Sequence, residues 1–103
     1  MQYFDPKDPG ESLVLTYDFT LGIPSGKTLS GTPTVAITVR AGTDANASAV
    51  LAGGNSLNSA STQVYVPVAG GVNGVDYEIK VTIATTDTHT TLVLSGVLPV
   101  RAA

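Results

Sequence analysis

The sequence predicts an all-β fold. Valine, isoleucine and threonine supply 31 of the 103 residues, whereas glutamate and lysine, which favour helices, supply only 5. Branching at Cβ restricts χ1 in a way that suits a pleated sheet. Apolar and polar residues alternate in several short segments, which are separated by clusters of glycine, proline and serine. We therefore expect some five to seven short strands in one domain with a single core.

Residues 1–11 are expected to form an extended N-terminal arm. Pro6 and Pro9 fix their φ angles and lack amide hydrogens, so neither a helix nor a central strand can run through this segment. Tyr3 and Phe4 lie on the arm, outside any sheet pattern. We expect these two aromatic side chains either to cover their own domain or to dock on a neighbouring subunit.

Four segments after the arm alternate as half-buried strands do. They are residues 12–20, 34–40, 63–68 and 76–85. The alternation is clearest in the last segment, where a register slip of one residue would bury the charges of Asp76, Glu78 and Lys80. The register of this strand is therefore strongly specified.

A final apolar strand is predicted over residues 91–100. Ser95 and Gly96 interrupt its pattern, and we expect a β-bulge there. Proline removes a donor from the sheet, so Pro67 and Pro99 indicate edge strands or strand ends.

The connections between the strands are of two kinds. Residues 21–30 contain closely spaced glycine and proline and predict a reversal of the chain. Residues 42–61 form a long loop of small residues, within which 48–52 predict either a short strand or one helical turn. A loop of this length is often functional, and we expect it to contact a partner. The candidate partner-interface residues are Tyr3, Phe4, Pro6, Pro9, Leu51, Leu57 and Tyr65.

The sequence contains no pattern that predicts a catalytic, cofactor-binding or metal site. The single histidine, His89, lies in a polar connection and is expected to be solvated. Asp76 and Glu78 share the outer face of one strand, and no serine lies in a nucleophile elbow. Asp44 and Asn46 offer too few oxygens for calcium. We expect no enzyme activity, no cofactor and no small-molecule substrate.

Charge and hydropathy narrow the partners further. Five basic residues and a net charge of −3 give no surface for nucleic acid, and no apolar run approaches the ~20 residues that cross a bilayer. The absence of cysteine excludes a disulfide framework. The N-terminal residues lack the pattern of a signal peptide, so we expect synthesis in the cytoplasm.

Residues 74–79 resemble the entry to the penultimate strand of an immunoglobulin-like sandwich. In such sandwiches a tyrosine hydroxyl ties the corner to nearby backbone, and Tyr77 stands at that position. Ile79 occupies the place of the cysteine in antibody domains, and tryptophan is absent. The resemblance implies an Ig-like antiparallel β-sandwich over residues 12–103, with Tyr77 as a structural corner, but excludes a true antibody domain.

A second resemblance covers most of the chain. It rests on Asp5-Pro6-Lys7-Asp8-Pro9, on residues 15–19 and 74–86, and on a closing strand that ends at Val100-Arg101. This pattern is similar to that of small Ig-like bacteriophage tail proteins of the fibre–tail adaptor type, although the tryptophans common in such sequences are absent.

The second resemblance implies a structural virion protein of the tail, made in the host cytoplasm. It would be present in several copies in a symmetric assembly and would join tail and fibre subunits through protein contacts. Two alternatives stay open at this point. One is a capsid decoration or other tail-associated Ig-like protein. The other is a carbohydrate-binding sandwich, for which Tyr65 is the one candidate residue on a predicted strand.

Overall fold

The computed structural model describes residues 2–102, and strands make up nearly all of the regular structure in that range. The all-β prediction is confirmed. Two single turns of 3-10 helix span Thr20–Gly22 and Ala47–Val50. The strands are β1 (Gln2–Tyr3), β2 (Ser12–Asp18), β3 (Leu29–Ala41), β4 (Ser56–Leu57), β5 (Gln63–Ala69), β6 (Asp76–Thr85) and β7 (Thr91–Pro99).

The strands form two sheets around one apolar core. The first sheet has the order β1-β7-β6-β3, and the second has the order β2-β5-β4. All pairs are antiparallel except β1 with β7. Both sheets direct alternate side chains into the same buried cluster, whose fully buried members include Tyr17, Tyr77, Ile79, Ile83, Leu98, Val64, Val66, Val68 and Val81.

Strand β6 spans the range predicted for it, Asp76–Thr85. It pairs with β3 on one side and with β7 on the other, so it is an inner strand of its sheet. Its odd-numbered residues from Tyr77 to Ile83 are buried, whereas Lys80 is exposed and Glu78 half-buried. The charges thus lie on the outer face, as the alternation requires.

The β-bulge expected at Ser95 and Gly96 is wrong. The β6–β7 register is unbroken, and Gly96 pairs directly with Ile79. Leu94, Gly96 and Leu98 belong to one continuous core-facing row in which glycine is the smallest member. The space above Gly96 is filled by Phe4 and Tyr17, which a Cβ at this position would clash with. The apolar pattern weakens there because the covering side chains come from other segments.

The expectation of an edge strand at Pro67 is also wrong, whereas Pro67 does lie close to the end of its strand at Ala69. Pro67 lies inside β5, the middle strand of the second sheet. Its carbonyl accepts a hydrogen bond from the amide of Ala52, so its backbone groups point away from β2. The missing amide hydrogen therefore costs the β2–β5 ladder nothing.

Strand β3 begins earlier than predicted, at Leu29 instead of Thr34. An irregularity between Ser30 and Thr34 shifts its register against β6, and Gly31 there has a φ of 82°. Sequence reasoning assigned Leu29 and Ser30 to the reversal predicted over residues 21–30 and made no prediction for residues 31–33. The chain instead pairs with β6 on both sides of the irregularity.

A buried hydrogen bond joins the two sheets. The Tyr17 hydroxyl on β2 donates to the carbonyl oxygen of Ile79 on β6 at 2.8 Å. The Phe4 ring packs on Tyr17, with 5.4 Å between ring centroids. Both rings lie where Gly96 has no side chain. The absence of a Cβ at Gly96 is therefore what lets the two aromatic residues enter this part of the core.

We expect Gly96→Ala to lower the free energy of unfolding by about 2 to 3 kcal/mol, because the added methyl group would displace Phe4 and Tyr17 and strain their contacts. Urea unfolding followed by circular dichroism measures this. Gly54→Ala is the matched control, since a Cβ at Gly54 would meet nothing within 4 Å, and it should change stability by less than about 0.5 kcal/mol. Equal effects of the two variants would contradict the assignment.

Candidate partner interface

The N-terminal arm lies along the outer edge of β7. Gln2 and Tyr3 pair in parallel with β7, and the Phe4 amide donates to the carbonyl of Val97 at 2.9 Å. The two arm aromatics differ in their surroundings. Phe4 is half-buried and packs against the core, whereas 68% of Tyr3 is exposed. Tyr3 is the arm aromatic that is available to a partner.

Lys7 anchors the arm, a role that sequence reasoning missed. The residue is fully buried, and its Nζ donates to the carbonyl oxygens of Asp8 at 2.8 Å and of Gly70 at 2.6 Å. Its main chain bonds to Pro99 and Arg101. A buried ammonium group requires such acceptors. Nothing local in the sequence indicates this burial, because it depends on Gly70 and Pro99, which lie far along the chain.

The arm prolines lie on either side of Lys7. Pro6 is exposed, and Pro9 is half-buried in a turn closed by a bond from the Glu11 amide to the Asp8 carbonyl at 2.9 Å. Pro6 and Tyr3 are thus the most accessible of the four arm candidates.

The other three candidates lie elsewhere. Leu51 and Leu57 are half-buried and pack against the core, and Tyr65 is half-buried on the outer face of β5. Residue 65 pairs with Ser56 of β4 and Thr16 of β2, both of which are exposed. Within the long loop, the predicted alternatives for 48–52 resolve to one 3-10 turn at Ala47–Val50.

The structure does not bring the seven candidates onto one surface. The arm forms the β1 end of the first sheet, whereas β4 contacts β3, which forms the other end of that sheet. The arm group and the β4–β5 group therefore lie at opposite edges of the domain. Two separate contact surfaces result.

Tyr77 lies at the start of β6 and connects two loops. Its hydroxyl accepts a hydrogen bond from the Val72 amide at 2.8 Å and donates one to Asp44 Oδ2 at 2.7 Å. Burial and the bond to Asp44 raise the pKa of Tyr77. The same bond, together with the Asn46 amide, lowers the pKa of the Asp44 carboxyl. Both oxygens of Asp44 are thus engaged in holding the long loop against the corner.

Sequence reasoning also missed an apolar cleft at the start of β7. Leu21 is fully exposed and Val93 is 50% exposed. The cleft has a volume of about 230 Å³ and is lined by Asp18, Phe19, Leu21, Gly22, Leu92, Val93 and Leu94. Leu21 follows Leu15, Tyr17 and Phe19 at the same spacing of two residues. The 3-10 turn at Thr20–Gly22 ends the strand geometry there, and the Leu21 side chain points to solvent. The only available signal was an apolar residue inside a predicted turn.

Between residues 2 and 102, no group of three or more His, Cys, Asp or Glu side chains is placed to hold a metal ion. None of the helical turns in this range has the length and apolar character needed to cross a membrane. His89 lies exposed in the turn between β6 and β7, and its amide donates to Asp87.

Comparison with known proteins gives one match. A family model described as podophage GP4 fiber-tail adaptor protein gp77 matches residues 7–95, which is most of the chain. No curated protein and no solved structure matches.

We expect acid to destabilise the protein partly through Asp44. Its folded-state pKa is lowered, so its contribution is complete above the ordinary aspartate pKa of about 3.9 and is lost as the pH falls through the folded-state value. Stability measured by urea unfolding from pH 6 to pH 2.5 should therefore fall less steeply in Asp44→Asn than in the natural sequence.

Tyr77→Phe removes the strongest cause of that lowered pKa and should flatten the same pH dependence. Asp18→Asn serves as the control, because Asp18 also has a lowered pKa but is bonded to Thr20 instead of Tyr77. Its effect should persist in the Tyr77→Phe background, whereas the effect of Asp44→Asn should shrink. Unchanged slopes in both Asp44→Asn and Tyr77→Phe would refute the coupling.

Proposed function

The chain belongs to the podophage GP4 fiber-tail adaptor family, and on this basis we propose that it joins tail and fibre through two opposite edges of its domain. It is a structural component of the phage tail, and its partners are other virion proteins. The family match favours this role over capsid decoration and carbohydrate binding. The observation that carries the two-edge proposal is the separation of the candidate residues.

The first proposed contact is the arm edge, represented by Tyr3 and Pro6. Tyr3 is held by main-chain pairing with β7, so its position is fixed while its side chain stays exposed. A rigid, exposed aromatic residue loses little conformational entropy on binding, which is why tyrosine is common at the centre of interfaces. Pro6 is exposed on the same segment.

The second proposed contact is formed by β4, β5 and the loop before them. Leu51, Leu57 and Tyr65 are each half-buried there. Strand β4 has only two residues and lies at the end of its sheet. The β5 backbone beside β4 is already bonded to this loop, through the Asn58 amide at Gln63 and the Ala52 amide at Pro67. The groups offered to a partner are therefore the side chains of this surface and the outer edge of β4 itself.

We further propose that the domain is an Ig-like antiparallel sandwich formed by residues 12–103, with residues 1–11 as its arm. Support comes from the two sheets around one core and from the bond between the Tyr77 hydroxyl and the Val72 amide. In this proposal the protein has no catalytic role, is made in the host cytoplasm and is present in several copies in a symmetric assembly.

We expect Tyr3→Ser to weaken incorporation into particles roughly tenfold, as loss of a central aromatic contact does. The test supplies variants to a phage that lacks the gene and quantifies the protein in purified tails, with fibre occupancy scored by negative-stain microscopy.

Val14→Ser is the matched control, because Val14 is 61% exposed but lies on β2. It should be incorporated normally, and both variants should unfold at the same urea concentration as the natural protein. Normal incorporation of Tyr3→Ser would remove the arm edge from the proposal.

A further inference from the structure

Half of the outer edge of β7 has no strand beside it in the described part of the chain. Strand β7 spans nine residues, yet β1 pairs only with Gly96 and Val97. The segment from Thr91 to Ser95 pairs with β6 on its inner side alone. An unpaired strand edge is a template for a strand from another protein.

The alternation of backbone groups shows which residues face outward there. The carbonyls of Val97 and Pro99 accept bonds from the arm, so these odd-numbered residues point their main-chain groups away from β6. Because this direction alternates along a strand, Thr91, Val93 and Ser95 point their groups outward too. The carbonyl of Ser95 faces the Gln2 amide of the arm, so the groups placed to continue the ladder are the amide of Ser95 and the amides and carbonyls of Thr91 and Val93.

The apolar cleft adjoins this open edge. Leu21 and Val93 line the cleft, and Leu21 is fully exposed and Val93 half exposed. A bound partner could therefore remove apolar surface of both side chains from water. Burial of such side chains is favourable in proportion to the apolar surface that is removed from water. A strand added along Thr91–Ser95 would bring its own side chains to this cleft.

The arm itself shows how such a strand binds. Phe4 lies between Gly96 of β7 and Tyr17 of β2. The cleft lies beside Leu94 and Phe19, the next core-facing positions along the same two strands. It is therefore the continuation of the groove that Phe4 fills, and it suits an apolar side chain presented in the same way.

Charge adds a second requirement for the occupant. Asp18 lines the cleft and is exposed, and its carboxylate accepts bonds from the amide and hydroxyl of Thr20. These bonds lower the pKa of Asp18, so it carries a negative charge at neutral pH. A basic side chain complements this charge, whereas an acidic one would be repelled.

We propose that the edge of β7 from Thr91 to Ser95, together with this cleft, binds an extended segment of a neighbouring tail or fibre protein. The segment adds as a strand in line with β1, seats an apolar side chain in the cleft and places a lysine or arginine beside Asp18. The virion origin of the partner rests on the proposed function; the strand addition rests on the edge and the cleft.

Three substitutions test the three parts of the site. Val93→Pro removes an outward amide and is tolerated by the β6 ladder, as Pro99 at an equivalent position is. Leu21→Asp changes a fully exposed residue, and Asp18→Asn removes the charge. The probes are purified fibreless tails and purified fibres of the same phage. We expect each variant to bind one of these about tenfold more weakly. Val93→Pro and Leu21→Asp should unfold normally, and Asp18→Asn is compared at a pH and temperature at which it is fully folded.

Hydrogen exchange gives a direct readout of the added strand. In the complex, the amides of Val93 and Ser95 should exchange at least about tenfold more slowly than in the free protein. The amide of Val14 is the control, because it lies on the end strand of the other sheet and should be unaffected.

The outcomes separate the two proposals. If the natural protein binds neither tails nor fibres, the proposed function and this inference both fail. If it binds but all three variants bind equally well and the two amides stay unprotected, only this inference fails. Protection that appears with self-association in sedimentation, without tails or fibres, would mean that a second copy occupies the edge and would also overturn it.

Discussion

The missing side chain at Gly96 is the constraint on which this fold depends. It leaves room for the Tyr17 hydroxyl to cross the core and reach the carbonyl of Ile79. A buried hydroxyl without a partner would cost about 1 to 3 kcal/mol, so this bond favours the one arrangement in which the two sheets meet with Tyr17 opposite Ile79. Burial raises the pKa of Tyr17, which keeps the hydroxyl protonated and able to donate. The same gap admits Phe4 and so holds the arm to the domain.

Docking of the arm determines which part of the sheet edge is closed. Pro6 cannot donate a hydrogen bond, so the arm leaves the β7 ladder after Phe4 and rejoins it at Lys7, whose amide bonds to Pro99. The buried ammonium group of Lys7 then ties the arm to Gly70. The described arm pairs with β7 from Gln2, opposite Gly96, towards Pro99. It therefore covers the C-terminal half of β7 and leaves Thr91–Ser95 without a neighbouring strand in the described part of the chain.

The alternation of apolar and polar residues predicted those strands whose two faces follow from their own sequence. The charges on β6 forbid a register slip, so its bounds and its two faces follow from alternation alone. Lys7, Leu21 and Gly96 could not be read in this way. Lys7 is buried because distant carbonyls surround it, Leu21 is exposed because a 3-10 turn rotates the chain, and Gly96 is covered by rings from two other segments. Each candidate interface residue was predicted individually from the sequence. Their separation into two groups at opposite edges became visible only from the order of the strands in the sheets.

That division has a mechanical consequence for an adaptor. The arm contact belongs to the first sheet, and the β4–β5 contact belongs to the second sheet. The hydrogen bond from Tyr17 to Ile79 joins these two sheets inside the core. The domain is elongated, with extents of 43, 22 and 19 Å. To detach the arm, a force at the arm edge would have to break the β1–β7 hydrogen bonds and the bonds of Lys7 to Gly70 and Pro99. Two partners bound at opposite edges are thus held at a fixed separation by the packed core between them, with no flexible linker in the path of the force.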